Sequence, residues 1–302
     1  MTTLIFFGSD QYSAVALATI LESQNGLKIE VITDRPKPVG KGLVLTPSPV
    51  EILAKTHNLN ISYYPDLDHS LITKDTLGLC ASFDHLIPAN IIELFAGNLY
   101  NLHPSLLPQY RNVSPVQYAI AMGDTVTGIT LFRISTGIDN GEIISQVSEP
   151  ILPTDTLATL TPRLFKLGAD LLLQFIQTNS KSTIHDLQST NLIFTHRLTR
   201  DSGFIEWPVL HKLLDGKPVA PNESGNELLN LRLTHNSIDP RSTIYDLLRA
   251  LTPWPTVWTT IPTKKGELRV MLESVIPDTK LKIAGKPNAI SYDDFEKYYL
   301  QK

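Results

Sequence analysis

Three polar residues of this sequence have the types and spacing for acyl chemistry. Asn101 and His103 stand two residues apart at the end of a strand-like apolar run, and Asp139 lies in the glycine-containing stretch STGIDNGEIIS. In an extended strand alternate side chains point to the same face, so the amide and the imidazole are expected together at a strand's carboxyl end. An amide donor, an imidazole and a carboxylate can stabilise an oxyanion and move a proton. No serine or cysteine motif of the nucleophile-elbow kind is present, so the pattern favours direct acyl transfer to an amine.

The elements that must position these residues alternate between strand and helix patterns. TTLIFF predicts a strand, Gly8-Ser9 a break, and DQYSAVALATILES a helix; LKIEVITD and SPVEILAKTHN repeat the unit. Further strands are expected at 61–64, 77–82, 99–102, 129–134 and 142–147, and helices near 89–95, 114–122 and 156–177. This alternation predicts an α/β fold with a mostly parallel sheet covered on both faces. GSDQYSA lacks the further glycines of a dinucleotide fingerprint, so NAD is not expected.

The length and the later composition predict a second domain. A chain of 302 residues exceeds the usual size of one domain. A polar stretch near residues 179–192 suggests a linker. Beyond it, STIYDLLRALT predicts a helix, PWPTVW a rigid turn, and VWTTIP and ELRVMLESVI short strands. We interpret this part as a small β-barrel or partial barrel preceded by a helix.

Composition narrows the expected partners. Cys80 is the only cysteine and the eight histidines show no ligand-like spacing, so neither a disulfide nor a metal site is expected. The net charge of −4 argues against indiscriminate binding to polyanions, so any RNA partner must be held locally. No apolar run is long enough to cross a bilayer, and the start of the chain lacks an export signal. We expect a cytoplasmic, monomeric protein with no membrane partner.

Longer motifs carry a family resemblance. NLHPSLLPQYRNVSPVQYAIAMGDTVTGITLFRISTGIDNGEI resembles the signature of the folate-dependent formyltransferases: Asn-x-His-[Pro/Gly/Ala]-Ser-Leu-Leu-Pro, then Arg-Gly and Pro-hydrophobic-Gln, then Gly-hydrophobic-Asp-x-Gly. DRPKPVGKGLVLTPSPVEILA is similar to the loop and helix of the members that act on methionyl-tRNA. RLTRDSGFIEW and LRALTPWPTVW are similar to the start of their C-terminal domain. The resemblance covers most of residues 1–207 and resumes at 242–260.

The resemblance implies a fold and an activity. It implies a Rossmann-like formyltransferase domain over residues 1–190 and a small OB-like β-barrel domain over residues 191–302. The implied reaction moves the formyl group of 10-formyltetrahydrofolate, a cosubstrate, to the α-amino group of methionyl-tRNA, the initiator of translation. An N-formyltransferase acting on an amino-sugar nucleotide is the alternative. A third hypothesis is a catalytically idle protein that binds folate or tRNA. It is disfavoured because Asn101, His103 and Asp139 are all present.

The family motif also assigns roles to residues of this sequence. Asn101 and His103 would bind the formyl oxygen as it becomes an oxyanion, while Asp139 would hold His103 and help remove the amine proton, directly or through water. The implied residues of the formyl-donor pocket are Phe83, Leu86, Ile87, Pro88, Ser105, Leu106, Pro108 and Gly137. The implied tRNA contacts are Arg35, Lys37 and Lys41.

Several positions depart from the family pattern. Phe83-Asp84 replaces Tyr-Gly in the pocket wall, and Asn112 replaces a glycine and is expected to adopt a glycine-like backbone conformation. Lys41 stands in the usual Gly-Arg-Gly motif, and apolar residues follow it where basic ones are common, which predicts weaker or differently specified RNA binding. An unusual insertion near 208–241 and a short tail predict a reduced barrel, with the insertion supplying replacement packing.

Overall fold

The computed structural model describes residues 2–23, 26–178, 193–235, 239–263 and 266–300. The chain divides into two compact units, of which the first comprises residues 1–112, 126–150 and 161–194. The second comprises residues 113–125, 151–160 and 195–302. The linker predicted near 179–192 lies outside the described residues, and the domain boundary predicted at residue 190 stays a prediction.

The elements of the first two thirds of the chain follow the predicted alternation. In chain order they are β1 (Thr3–Phe7), α1 (Gln11–Glu22), β2 (Lys28–Thr33), β3 (Lys37–Val39), β4 (Val44–Thr46), α2 (Pro49–Thr56), β5 (Asn60–Tyr63), β6 (Leu77–Ala81), α3 (Ala89–Leu94), β7 (Leu99–His103), β8 (Arg111–Asn112), α4 (Pro115–Ala121), β9 (Val126–Arg133), β10 (Ile143–Pro150) and α5 (Leu157–Thr178). Helix α1 begins where the Asp10 carboxylate accepts hydrogen bonds from the amides of Tyr12 and Ser13.

The remaining elements are shorter. They are β11 (Phe194–Thr195), α6 (Trp207–Leu214), α7 (Glu227–His235), α8 (Pro240–Leu251), β12 (Trp258–Thr263), β13 (Gly266–Ser274), β14 (Lys280–Ile283), β15 (Ile290–Ser291) and α9 (Tyr292–Phe295), which continues into one π-helical turn at Glu296–Leu300. No helix of the described part of the chain has the length and hydrophobicity needed to cross a membrane.

A seven-stranded sheet organises the first unit in the order β10-β9-β7-β6-β1-β2-β5. Strands β5, β2, β1, β6 and β7 run parallel. Strand β9 is antiparallel to β7, and β10 is antiparallel to β9. The residues from Leu4 to Phe7 in the interior strand β1 are fully buried, as expected for a strand covered on both faces. The predicted mostly parallel, Rossmann-like sheet is therefore confirmed.

Residues 37–46 form a hairpin that the sequence pattern did not reveal. The sequence predicts a loop here, but β3 and β4 pair, with Lys37 opposite Thr46 and Val39 opposite Val44. Every residue from 37 to 46 is exposed, including Leu43 and Leu45 at 70% and 67%. Its β-branched and apolar side chains favour extended pairing even though they bury little surface.

The second unit combines helices with a separate sheet. Helix α8 packs on α4 and on α6, and β12 to β15 form a four-stranded antiparallel sheet in sequence order. The C-terminal antiparallel sheet agrees with the predicted small β domain. The insertion at 208–241 contributes buried leucines to this unit from α6 and α7, namely Leu210, Leu213, Leu228 and Leu229.

A buried ion-pair network also ties the insertion to its unit. Arg232, only 3% exposed, donates hydrogen bonds to the carbonyl of Met122 and, at 3.0 Å, to Asp246 Oδ2. Arg249 donates to the other Asp246 oxygen at 2.7 Å and to the carbonyl of Asp155 at 2.7 Å. A side chain at Gly123 would overlap the Arg232 guanidinium, since a Cβ there would lie 2.3 Å from Arg232 Nη2.

Candidate active site

Strand β7 carries the first two candidate residues. It lies between β6 and β9, and its register sets Asn101 beside Cys80 on one side and Phe132 on the other. The Asn101 side chain is partly exposed to a cavity and, within the described residues, its amide has no hydrogen-bond partner. His103, two residues later, is 4% exposed. The amide is therefore available to a bound molecule, while the imidazole is enclosed by protein.

Asp139 reaches His103 from the loop between β9 and β10. Its Oδ2 atom lies 3.5 Å from His103 Nδ1 and accepts a hydrogen bond of 2.9 Å from the Asn112 amide. Asn112 has a φ of +87°, so the predicted glycine-like conformation is confirmed. Asp139 itself has a φ of +46°, a left-handed conformation that aspartate tolerates better than most residues. Two unusual backbone conformations thus aim this carboxylate at the imidazole.

The hydrogen bonds of His103 indicate its resting protonation. Its Nε2 atom lies 2.9 Å from the Tyr110 carbonyl oxygen, which can only accept, so Nε2 carries a proton. Burial lowers the pKa of His103, and the nearby positive charge of Arg111 lowers it further. The Asp139 charge and the hydrogen bond to Tyr110 raise it, but their effect is smaller. His103 is therefore neutral near pH 7, and its Nδ1 lone pair faces the Asp139 side. This nitrogen can accept a proton during a reaction.

The loop after β7 is held by the neighbouring sheet. Thr130 Oγ1 donates to the Ser105 carbonyl at 2.6 Å and accepts from the Leu107 amide at 3.1 Å. Gln146 Nε2 donates to the Leu107 carbonyl at 2.8 Å. Ser105 is fully buried, and its hydroxyl donates to the Gln109 carbonyl. This network fixes the chain that presents the Tyr110 carbonyl to His103.

A cavity of about 460 Å³ opens beside Asn101 and Asp139, a size typical of small-molecule sites. Four of the residues expected in the donor pocket line this cavity: Phe83, Leu86, Ile87 and Gly137. Four others lie outside the lining: Pro88, Ser105, Leu106 and Pro108. The lining residues not predicted from sequence are Cys80, His85, Ala89, Ile92, Phe132, Ile134, Ser135, Thr136 and Ile138. The wall is mostly apolar, which suits a flat heteroaromatic ring.

His85 is the lining residue that sequence reasoning most clearly missed. Its Nε2 atom lies 2.6 Å from Asp34 Oδ1, and its ring packs on Tyr64 and Phe83. The other Asp34 oxygen accepts a 2.7 Å bond from Lys37 Nζ. Burial acts to raise the pKa of Asp34, but the bonds from Lys37 and His85 together hold it below its usual value. Asp34 thus links the cavity wall to the base of the 37–46 hairpin.

The three expected tRNA contacts have different surroundings. Arg35 is paired with Asp66 and stacks over the Tyr63 ring, and Lys37 is paired with Asp34. Lys41 is exposed at the end of the hairpin and has no charged or hydrogen-bonding partner within the part of the chain that the structure describes. An external anion therefore has the most direct access to Lys41.

The lowered pKa of His103 predicts a pH dependence of stability. The unfolded chain binds this proton at about pH 6.5, whereas the folded chain resists it to lower pH. The stabilising contribution is therefore complete above about pH 6.5 and lost as the pH falls towards the lowered pKa. Urea unfolding followed by circular dichroism at pH 7.5 and 5.5 should show a smaller pH effect in His103→Gln than in wild type. The control is His57→Gln, which replaces an exposed histidine. If the change in unfolding free energy between the two pH values were equal in His103→Gln and wild type, His103 would not have a lowered pKa.

Comparison with known proteins identifies the class. Residues 2–176 match the formyl transferase family, so the chain belongs to that family and is a folate-dependent formyltransferase. Its sequence is similar to methionyl-tRNA formyltransferases. The one from Koribacter versatilis is 31% identical over 264 residues, covering 85% of this chain and 75% of that protein. The one from Listeria monocytogenes serotype 4a is 28% identical over 302 residues, covering 97% of this chain and 85% of that protein.

Solved structures share the fold at lower identity. A sugar 3N-formyl transferase, crystallised in the presence of dTDP and 5-N-formyl-THF, superposes with a TM-score of 0.58 at 19% identity, covering 95% of this chain and 99% of that one. An N-formyltransferase from Helicobacter canadensis, in complex with folinic acid and dTDP-3-aminofucose, gives a TM-score of 0.56 at 17% identity, covering 94% and 96%. At these identities the likeness concerns the fold.

Proposed function

We propose that this chain transfers the formyl group of 10-formyltetrahydrofolate to the free α-amino group of methionyl-tRNA. The observation that carries the proposal is that Asn101 and Asp139 line one cavity, with the Asn101 amide unengaged among the described residues and Asp139 Oδ2 3.5 Å from Nδ1 of the buried His103. An oxyanion donor and a proton carrier stand together there, as formyl transfer to an amine requires.

The residues that line the cavity support its assignment as the binding site of the formyl donor. We propose that the pterin packs against Phe83 and Ile87, and that backbone groups of the 83–88 segment bind its polar edge. Gly137 also lines the cavity and has a φ of +118°, and its lack of a side chain lets a ligand approach the backbone closely. This arrangement would present the formyl carbon to Asn101.

The proposed transfer uses each of the three side chains. As the neutral amine attacks the formyl carbon, the Asn101 amide donates to the oxygen that becomes negative. Neutral His103 takes the proton released by the amine, directly or through water, and becomes a cation that also stabilises the oxyanion. Asp139 stabilises that cation. When the bond from carbon to the donor nitrogen breaks, His103 returns the proton to that nitrogen and is neutral again. We assign no metal to this step.

The 37–46 hairpin supports methionyl-tRNA as the acceptor. It carries Lys41, exposed and unpaired among the described residues, and its base is joined through Lys37 and Asp34 to His85 in the cavity wall. We propose that the hairpin contacts the acceptor stem, and that the C-terminal β domain is OB-like and assists RNA binding. The protein would act as a monomer in the cytoplasm.

Formylation of charged initiator tRNA by the purified protein tests the proposal. Methionyl-tRNA should be formylated only when 10-formyltetrahydrofolate is supplied, and much faster than amino-sugar nucleotides assayed in parallel. Faster formylation of an amino-sugar nucleotide would establish the alternative acceptor. No transfer to either acceptor, with folate binding intact, would indicate a catalytically idle binding protein.

Replacing Lys41 by alanine should weaken the use of methionyl-tRNA. If Lys41 contacts one phosphate, the slope of log K against log salt should fall by roughly one unit in the variant. Binding of the formyl donor should not change. The matched control is Lys74→Ala, which removes another exposed lysine of the same unit. An unchanged salt slope in Lys41→Ala would exclude Lys41 from the RNA contact.

A further inference from the structure

Three side chains of the second unit meet in a cluster that the transfer reaction does not use. His211 and Asp215 stand one helical turn apart at the end of α6, and Glu296 begins the π-helical turn after α9. Their ligand atoms lie within 4.8 Å of one another. Sequence spacing gave no sign of this set, because Glu296 lies 85 positions from His211.

The distances suit a tetrahedral metal ion. His211 Nε2 lies 3.2 Å from Glu296 Oε1 and 3.8 Å from Asp215 Oδ2. Ligands bound to zinc at 2.0 to 2.2 Å in a tetrahedron stand about 3.3 to 3.6 Å from each other. Small side-chain adjustments would therefore place all three atoms on one ion. One imidazole and two carboxylates are ligands that zinc accepts, and the imidazole favours zinc-like ions over magnesium or calcium.

Neighbouring aromatic side chains already orient two of these ligands. The Trp207 ring stacks on the His211 ring, with centroids 5.2 Å apart and planes 19° from parallel. The Tyr292 hydroxyl lies 3.2 Å from Asp215 Oδ1, which leaves Oδ2 facing His211. Such outer contacts commonly fix metal-binding side chains in place.

We propose that His211, Asp215 and Glu296 bind one zinc-like divalent ion, with water as the fourth ligand. The ion would join the end of α6 to the C-terminal helical turns and so stabilise the second unit. Lys217 is a competitor, because its ammonium lies 2.9 Å from Asp215 Oδ2. Its side chain is 64% exposed and can move into solvent when the ion binds.

Titration of Zn²⁺ into the full-length chain by calorimetry tests the proposal. Wild type should bind one equivalent, and His211→Gln should lose that site. His57→Gln, which removes an exposed histidine far from the cluster in sequence, should bind like wild type. Co²⁺ should give the visible absorption of a low-coordinate site in wild type and not in His211→Gln. Lys217→Met should bind Zn²⁺ about two- to fivefold more tightly, because it removes the competing ion pair.

A stability measurement separates this site from a simple hydrogen-bonded cluster. Added Zn²⁺ should raise the melting temperature of wild type and of Lys217→Met, but not of His211→Gln. Absence of saturable one-to-one binding in wild type would overturn the proposal. Equal Zn²⁺ binding by His211→Gln and wild type would overturn it as well, since the ion would then lie elsewhere.

Discussion

Replacing Asp139 by asparagine should lower kcat/KM for formyl transfer by about 10²- to 10⁴-fold, the usual contribution of a positioned proton-transfer group. The asparagine oxygen can still accept the Asn112 amide hydrogen bond, which is 2.9 Å in wild type, so the loop should keep its shape. The variant loses the charge that stabilises the His103 cation. Steady-state formylation with saturating donor measures the effect, and the affinity for the donor should change little.

A second variant, compared with Asp139→Asn, separates the proposed roles. Asn101→Ala removes an oxyanion donor and should cost about 10²- to 10³-fold in kcat, while the pH profile keeps its shape. Asp139→Asn should also shift the limb of the pH profile that reports His103. Asp75→Asn changes an exposed carboxylate of the same unit and serves as the control. Turnover by Asp139→Asn within a fewfold of wild type would remove Asp139 from the proposed mechanism.

Replacing Asp246 by asparagine should destabilise the second unit by about 3–5 kcal/mol, as expected when one partner of a buried ion pair is neutralised. Asp246 is 9% exposed and accepts hydrogen bonds from Arg232 and Arg249, which are themselves 3% and 8% exposed. The substitution barely changes side-chain volume. It leaves two buried guanidinium groups without their counter-ion.

The tryptophans provide a probe for this effect. All three, Trp207, Trp254 and Trp258, lie in the second unit, so urea unfolding followed by tryptophan fluorescence reports on that unit. The matched control is Glu223→Gln, whose carboxylate pairs with Lys212 at the surface with both side chains more than 40% exposed. It should cost less than about 1 kcal/mol. Equal midpoints for Asp246→Asn and wild type would show that the network contributes little.

Local patterns were sufficient to predict the mostly parallel sheet and the place of Asn101 and His103 at the end of one of its strands. The strand carrying Asn101 was predicted at 99–102 from its apolar run and the following prolines, and the observed strand runs one residue further, from Leu99 to His103. The unusual backbone of Asn112 was predicted because it replaces a glycine in a short motif, and its φ of +87° follows from that local requirement. Features set by neighbours in sequence are accessible to sequence reasoning.

Features that depend on distant partners were not accessible. His85 gains its role from Asp34, 51 positions away, and the two share no motif. The antiparallel pairing of β9 with β7, and of β10 with β9, depends on how the chain returns to the sheet after α4, which alternating strand and helix patterns do not encode. The 37–46 hairpin was missed because its prolines and glycines are equally typical of an irregular loop.

The packing of α4 on α8 has a consequence for how the second unit folds during synthesis. Its helix α4 buries Val116, Tyr118 and Ile120 and packs on α8, which begins at Pro240. During synthesis α4 leaves the ribosome well before α8. Its apolar face therefore stays uncovered until more than a hundred further residues have been made. A fragment ending near residue 190 would keep that face without its cover, and we expect it to aggregate when expressed alone. Gene truncations and fusions designed for this protein therefore need to retain α8.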